Sequence, residues 1–319
     1  MGDFRRVATL LLLLAAFPLP CPSQQPPAQE GTQKADENKP GYTVKVTVPL
    51  VTVNVTVLTH DGLFVPGLAK ENFLVLEDGE PQPVVSLNLS EAPITAVLLL
   101  EHIVNAPLIQ YGVPPATYGF VDILTRDDWG AAITFDKEPH ILQDFTQDKD
   151  LIRRALETIP PPLLREANLY DALYDTLDRL EMVKGRKYVI LVASGMDSLS
   201  QKIFDRVLKK TQLTRDTVIY SLDTFPTALD RQAANQMRAF ATMTGGKLYF
   251  PSSREEYADV FKDIGRLIRN QYSLSYHSTH KIEDGVWHKI KIQVLDADGR
   301  KSNYQIIARE GYRATREVK

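Results

Sequence analysis

Oxygen-bearing side chains follow two apolar runs of the chain at the points where those runs end. Glu101 and Asn105 follow the first run, and Ser194 and Asp197 follow the second. Carboxylate, amide and hydroxyl oxygens bind hard cations such as Mg²⁺, and they also accept hydrogen bonds from a partner. We therefore expect the chemistry of this chain to lie where these two segments meet.

The elements that must position these side chains alternate between strand and helix patterns. Short apolar runs typical of buried strands occupy 95–100, 130–135, 188–193, 217–222 and 246–250. Helical patterns occupy 107–126, 148–158, 168–184, 201–213, 229–243 and 254–271. This alternation predicts a doubly wound, mainly parallel α/β sheet with helices on both faces. Ligand sites of such sheets lie at the carboxyl ends of the strands, where both oxygen-bearing segments fall.

The segments on either side of this region show the two-residue period of strands with one buried face. Valine recurs at mostly alternate positions from Val44 to Val57, and a second strand is predicted over 72–76. The tail contains three further strand patterns, over 272–276, 287–294 and 304–309. We interpret these as antiparallel strands with tight turns. Three strands alone would expose a face and two edges, so we expect them to pair with 43–90 in one β-sandwich, into which the α/β domain is inserted.

The N-terminus has the pattern of a secretory signal peptide. Arg5 and Arg6 precede the apolar run 7–17, which is too short to span a bilayer. Cleavage after Ser23 would leave a mature chain without cysteine or a transmembrane segment. Lipid attachment at Cys21 is the alternative, which its flanking prolines disfavour. We therefore expect an exported protein, periplasmic or extracellular.

Composition divides the chain into five predicted segments. The stretch before the first strand pattern is rich in Gln, Pro and charge, which predicts a flexible leader. The predicted segments are a signal peptide at 1–23, the leader at 24–41, an N-terminal β module at 42–92, an α/β domain at 93–271 and C-terminal strands at 272–316.

Seven motifs stand in order along residues 43–313. They are Val65-Pro-Gly-Leu, Phe73-x-Val-x-Glu-Asp-Gly, the strand Ala96 to Leu100, Leu169-Tyr-Asp-Ala-Leu, Val189 to Asp197, Gly245-Gly246, and Tyr272-x-Leu-x-Tyr with Trp287-His-Lys-Ile-Lys-Ile. In these motifs the chain resembles bacterial proteins related to von Willebrand factor type A domains, above all the secreted type of acidobacteria. The resemblance implies the type A fold and an adhesion or assembly module.

The resemblance also implies a metal-ion-dependent adhesion site, and all five of its positions depart from the family's pattern. Its Asp, Ser, Ser, Thr and Asp are replaced by Glu101, Ile103, Asn105, Ala167 and Ser194, with Asn168 beside Ala167 and Asp197 near Ser194. A set with one carboxylate at these positions should bind Mg²⁺ poorly. We therefore expect no cofactor and recognition without a metal, and weak Mg²⁺ binding is the alternative.

Three polar residues of this set also have a purely structural interpretation, which we favour over direct contact with a ligand. Glu101 would then be a solvated carboxylate at the strand end, and Asn105 would cap a helix. Asp197 would be a turn or cap residue ahead of the helix near 201.

The sequence contains no motif of a known catalytic class, so we expect no enzyme. Gly-x-Ser-x-Gly, the Walker loop, His-Glu-x-x-His and Gly-x-Gly-x-x-Gly are all missing. The one enzyme hypothesis would pair Ser194 as nucleophile with His102 as base along the same sheet edge.

The leading hypothesis is a protein-interaction module that binds a protein, matrix or envelope ligand through the carboxyl edge of its α/β sheet. The apolar segment 159–164 would provide anchors, and Glu101 and Asn105 would provide polar specificity. Alternatively, this segment packs onto its own domain. The runner-up function is an envelope structural component that acts through the sandwich edges. A net charge of −3 gives no reason to expect nucleic acid as a partner.

Overall fold

The computed structural model describes residues 50–89, 92–104, 113–225, 231–279 and 285–314. It contains a six-stranded, mainly parallel sheet between helices and two four-stranded antiparallel sheets, which confirms the predicted fold class. The predicted signal peptide, the leader and Asn105 lie outside the described residues. Among the described helices, none has the length and apolar character needed to cross a membrane.

The described strands and helices keep the predicted alternation of strand and helix between two β-rich ends, with further strands that the sequence patterns did not predict. The strands are β1 (Leu50–Leu58), β2 (Phe73–Glu77), β3 (Glu80–Gln82), β4 (Val84–Leu89), β5 (Ile94–Glu101), β6 (Trp129–Phe135), β7 (Pro139–Thr146), β8 (Arg186–Ala193), β9 (Thr217–Asp223), β10 (Leu248–Tyr249), β11 (Tyr272–His277), β12 (Trp287–Val294), β13 (Gln305–Ala308) and β14 (Gly311–Arg313). The helices are α1 (Val113–Asp122), α2 (Lys149–Glu157), α3 (Leu169–Glu181), α4 (Phe204–Leu213), α5 (Arg231–Thr244) and α6 (Arg254–Arg269), and a short 3-10 helix spans Lys70–Asn72.

The six-stranded sheet has the order β10-β9-β8-β5-β6-β7 and is parallel except for β7 at one edge. Every residue of β5 and β8 is buried, because helices cover both faces of the sheet. Residues from α1, α2 and α6 form the core on one face, and residues from α3, α4 and α5 form it on the other. The sequence patterns did not predict β7, an edge strand in which no residue is fully buried.

The two antiparallel sheets have the orders β13-β1-β11-β4 and β14-β12-β2-β3 and share one apolar core. Each sheet combines strands from both ends of the chain, with β1 beside β11 and Val53 opposite Leu274 in the first, and β2 beside β12 and Val75 opposite Ile292 in the second. The predicted sandwich is therefore confirmed. The expectation of three consecutive antiparallel tail strands is wrong, because β11 and β13 lie in one sheet, whereas β12 and the unpredicted β14 lie in the other.

Candidate functional site

The candidate site lies at the carboxyl ends of β5 and β8, the two central strands of the parallel sheet. The chain leaves β5 toward α1 on one face and leaves β8 toward α4 on the other. Two neighbouring strands with diverging connections form a crevice at this edge in doubly wound sheets. The topology therefore brings Glu101 and Ser194 together, as the sequence predicted.

Glu101 is hydrogen-bonded to Ser194, and both residues are buried beneath this edge of the sheet. The Ser194 backbone N–H donates to Oε2 at 2.7 Å, and its hydroxyl donates to Oε1 at 2.8 Å. Both carboxylate oxygens are therefore engaged within the protein, and Glu101 is only 1% exposed. The expectation of a solvated strand-end carboxylate is wrong. The side chain instead joins the ends of β5 and β8.

The environment of Glu101 favours its protonated form. Burial removes water from the carboxylate and raises its pKa to about 7, and the two hydrogen bonds from Ser194 oppose this shift. The nearby Asp223 carboxylate raises the pKa further. Near neutral pH, about half of the molecules therefore carry a neutral Glu101.

The other polar positions fasten two loops to each other. Asp197 Oδ1 accepts from the Tyr170 backbone N–H at 3.0 Å, at the start of α3. Asn168 Oδ1 accepts from the Leu199 N–H at 3.0 Å, and its Nδ2 donates to the Lys137 carbonyl at 2.9 Å. These side chains are thus used in loop-to-loop hydrogen bonds. Asp197 also accepts from the Ser200 backbone N–H at 3.3 Å, as a turn residue would, but the helix start that it bonds is that of α3 and not that of the following helix, α4.

The two apolar positions of the adhesion-site set are buried. Ile103 lies in the core beneath the edge, and Ala167 is covered by the loop after β8. The backbone of Ala167 accepts from the Ser198 N–H at 2.8 Å and donates to the Ser198 hydroxyl at 3.1 Å. Asn105, the remaining position, lies outside the described residues.

The sequence reasoning missed Asp223, a buried carboxylate at the end of β9. Its Oδ1 accepts from the Phe225 backbone N–H at 2.9 Å, and its charge acts on Glu101. The rule that selected Glu101 would have found it, because Asp223 directly follows the apolar run 217–222.

The structure does not pair Ser194 with His102. The Ser194 hydroxyl donates to Glu101, whereas the His102 side chain is hydrogen-bonded to the Pro160 backbone. Partial burial lowers the pKa of His102, and the nearby Asp136 opposes that shift. The geometry therefore gives no support to a serine nucleophile activated by this histidine.

The described residues at this edge do not fit a divalent metal ion. No cluster of three or more His, Cys, Asp and Glu side chains that could hold one occurs in the described parts of the chain. Both oxygens of Glu101 already accept hydrogen bonds, and Ile103 offers no ligand atom. Mg²⁺ requires near-octahedral oxygen coordination, which this donor set does not supply.

We expect calorimetric titration with Mg²⁺, Mn²⁺ or Ca²⁺ to show no saturable binding at millimolar concentration, because the only carboxylate at the adhesion-site positions is buried and bonded to Ser194. The Glu101→Gln variant is the control and should give the same trace. Saturable binding that disappears in this variant would contradict the expectation.

Exposed aliphatic side chains cover the same edge. We call Val104, Leu163, Met196, Leu199 and Ile203 the apolar edge surface. They lie on three loops that hydrogen bonds hold together. The Val104 N–H donates to the Leu164 carbonyl at 2.8 Å, and Ala167 and Asn168 are bonded to the loop after β8 through Ser198 and Leu199. The two ends of the predicted segment 159–164 behave differently: Ile159 packs against the core, whereas Leu163 faces solvent.

Solved structures similar to this chain include three bacterial ones. A von Willebrand factor type A protein from Catenulispora acidiphila is 8% identical, with 82% of this chain and 73% of that chain covered and a TM-score of 0.48. The vWF domain of the type V pili tip protein Mfa5 from Porphyromonas gingivalis is 12% identical, with 55% and 95% covered and a TM-score of 0.43. The conserved hypothetical protein BatB from Bacteroides thetaiotaomicron is 14% identical, with 55% and 99% covered and a TM-score of 0.43.

No protein-family model matches the sequence, and no curated protein matches it. Similarity at these low identities concerns the fold alone. The order of the six-stranded sheet, its helices on both faces and the paired terminal strands all agree with the resemblance noted in the sequence. In its fold, the chain is similar to von Willebrand factor type A domains.

Proposed function

We propose that this protein is an exported interaction module that binds a protein partner through the apolar edge surface, without a metal. The export part of the proposal is supported by the signal-peptide pattern at 1–23. The binding part is supported above all by one observation: the described polar side chains of the adhesion-site set, Glu101, Asn168, Ser194 and Asp197, are hydrogen-bonded within the protein, whereas five aliphatic side chains face solvent.

The exposure of these aliphatic side chains is what a partner contact needs. Leu163 is 89% exposed, and Leu199 and Ile203 are each about two-thirds exposed. Several such residues on adjoining loops are unusual in a protein that acts alone, and they are typical of interaction sites. Burial of large apolar side chains at the centre of an interface provides most of the affinity in many complexes.

The hydrogen bonds beneath the surface support its role as a preformed site. Glu101 and Ser194 join the strand ends, and Asn168 and Asp197 hold the loops against each other. Loops held in this way lose little conformational freedom when a partner binds, which favours affinity. The buried polar residues would therefore position the binding loops and leave direct contact to the aliphatic side chains.

The test is capture of the partner from envelope and extracellular fractions of the organism that makes the protein. We expect the immobilised wild-type chain to retain a partner in the presence of EDTA. The double substitution Leu163→Asp and Leu199→Asp should reduce the captured amount at least about tenfold, because charges would replace two apolar anchors.

The matched control is Met182→Asp. Met182 is also 89% exposed, but it follows the other end of α3, about 20 Å from the start of that helix. Its substitution should leave capture unchanged. Capture that requires Mg²⁺, or that survives the double substitution, would refute the proposed surface. The second result would favour a partner bound at the sandwich edges.

A further inference from the structure

The three sheets end in six edge strands, and five of these have features that oppose further pairing. β3, β10 and β14 contain two or three residues each, and β13 contains four. β7 is longer, but it begins with Pro139 and includes Asp144. Short length, proline and charge are the usual means by which natural sheets avoid pairing at their edges.

The sixth edge strand, β4, is not short and has neither proline nor charge, although its register with β11 shifts between Ser86 and Val84. Its six residues, Val-Val-Ser-Leu-Asn-Leu, include no charge and no proline. β11 pairs with its inner side from Leu89 to Val84, and its outer side has no partner strand within the described ranges. Val85 and Leu89 are each 48% exposed. An uncharged apolar edge of this length is a template for another strand.

A cleft of about 470 Å³ lies next to this edge, between the two sheets of the sandwich. Five of its eight lining residues are apolar, namely Phe73, Leu74, Pro81, Pro83 and Val84, and the other three are Lys70, Glu71 and Gln82. It occurs where the three-residue strand β3 ends and the chain crosses to β4. Apolar side chains on an added strand could enter this space, so the edge offers both backbone groups and an apolar recess.

The sequence of β4 identifies the kind of strand that fits. From Val85 to Leu89, the apolar and polar residues alternate, and the pattern reads the same in both directions about Leu87. In an antiparallel pair of two such strands, Val85 would face Leu89, Ser86 would face Asn88, and Leu87 would face Leu87. Matched cross-strand pairs of this kind stabilise a sheet.

We propose that β4 is a homodimer interface, at which two copies of this chain pair antiparallel about Leu87 and join their sandwich sheets across a twofold axis. Such an interface is isologous: each residue contact occurs twice, related by the twofold axis. The strand β4 itself carries no charge, and the Lys70 and Glu71 side chains of the adjoining cleft are opposite in sign, so two copies meet there without net repulsion. This surface lies on the sandwich and is independent of the apolar edge surface.

The register is tested by cross-linking in a Cys21→Ser background, which removes the only native cysteine. Leu87→Cys should form a disulfide-linked dimer with oxidised glutathione, because opposed residues of antiparallel strands lie about 4.5–5.5 Å apart at Cα, within disulfide range. The control is Val85→Cys, which should not link, since its two copies would be about 13 Å apart along the strands. Linking of Val85→Cys but not Leu87→Cys would overturn the register.

The interface is tested by the mass of the protein in solution over a concentration series. The wild type should form dimers, and Val85→Lys with Leu89→Lys should be monomeric, because like charges would face each other across the axis. The control is Leu50→Lys, 55% exposed on the interior strand β1 of the same sheet, which should dimerise like the wild type. Circular dichroism checks that all three fold. A monomeric wild type, or lysine variants that dimerise equally well, would overturn the proposal.

Discussion

Replacing Glu101 by Gln should stabilise the protein at pH 8 by about 3 kcal/mol and leave its stability at pH 4 nearly unchanged. The reason is the buried position of this carboxylate, whose pKa rises from 4.5 to about 7 on folding. Glutamine keeps the shape of the side chain and remains neutral at every pH. Its amide also preserves both contacts with Ser194, since its oxygen accepts the backbone N–H and its nitrogen donates to the hydroxyl.

The direction of the effect follows from the two pKa values. Below pH 4.5, Glu101 is protonated in both the folded and the unfolded chain, so it does not oppose folding. Between pH 4.5 and about 7, the unfolded chain ionises while the folded chain keeps its proton, and the free energy of unfolding falls as the pH rises. Above pH 7 the loss is complete, at about 1.4 kcal/mol for each unit of the shift.

The measurement is urea unfolding of the wild type and the Glu101→Gln variant between pH 4 and pH 8. The difference between their free energies of unfolding isolates Glu101 from other titrating groups. The control is Glu138→Gln, at an exposed position, which should change stability by less than about 0.5 kcal/mol at each pH. Parallel pH profiles for the wild type and Glu101→Gln would show that the buried carboxylate does not titrate as described.

The sequence was sufficient to predict the parallel sheet, because the fully buried strands β5 and β8 are continuous apolar runs and both faces of the sheet are covered. It did not reveal β7, since an exposed edge strand needs no apolar face. It also misassigned the tail strands. The two-residue period shows which side of a strand is buried but not which of two sheets it joins, and that choice depends on contacts with distant strands such as β1 and β2.

The sequence predicted where the candidate site lies but not how its side chains are oriented. Residues at the ends of neighbouring parallel strands meet at one edge, so the meeting of Glu101 and Ser194 follows from topology. The direction of each side chain depends on hydrogen bonds across the fold, such as those from Asn168 to Leu199 and Lys137. For the same reason, the sequence could not show that Glu101 is buried. Its residue type predicts solvent exposure, and only the bonds with Ser194 compensate the loss of water.

The structure explains why glycine occupies positions 245 and 246, which the sequence motif alone did not. The two residues end α5: the Gly245 N–H donates to the Thr242 carbonyl at 3.1 Å, and the Gly246 N–H donates to the Ala241 carbonyl at 2.9 Å. Gly245 has a φ of +87°. This is the Schellman arrangement, which satisfies carbonyls that a helix end leaves without partners. It turns the chain directly into β10 beside β9.

Substitution of Gly246 by Ala should cost about 4 kcal/mol of folding free energy, among the largest effects of a single methyl group. A Cβ at this position would lie 1.9 Å from the Ile219 carbonyl oxygen and 2.7 Å from its carbon. These are backbone atoms of β9, which is paired on both sides in the parallel sheet. They therefore cannot move aside as a flexible side chain would. The close approach of α5 to β9 therefore requires glycine here, and urea unfolding of the variant measures the cost.

The matched control is Gly299→Ala, because Gly299 has a φ of +75° but nothing within 4 Å of an added Cβ. This variant should lose only the conformational preference of glycine, about 1 kcal/mol. Because Gly246 does not have a positive φ, a loss greater than that of Gly299→Ala reflects steric exclusion at the helix end. Similar losses in both would mean that α5 shifts away from β9 without cost. Because α5 also packs Met237 and Ala233 against Gly195 in the loop after β8, such a shift would disturb the binding loops as well.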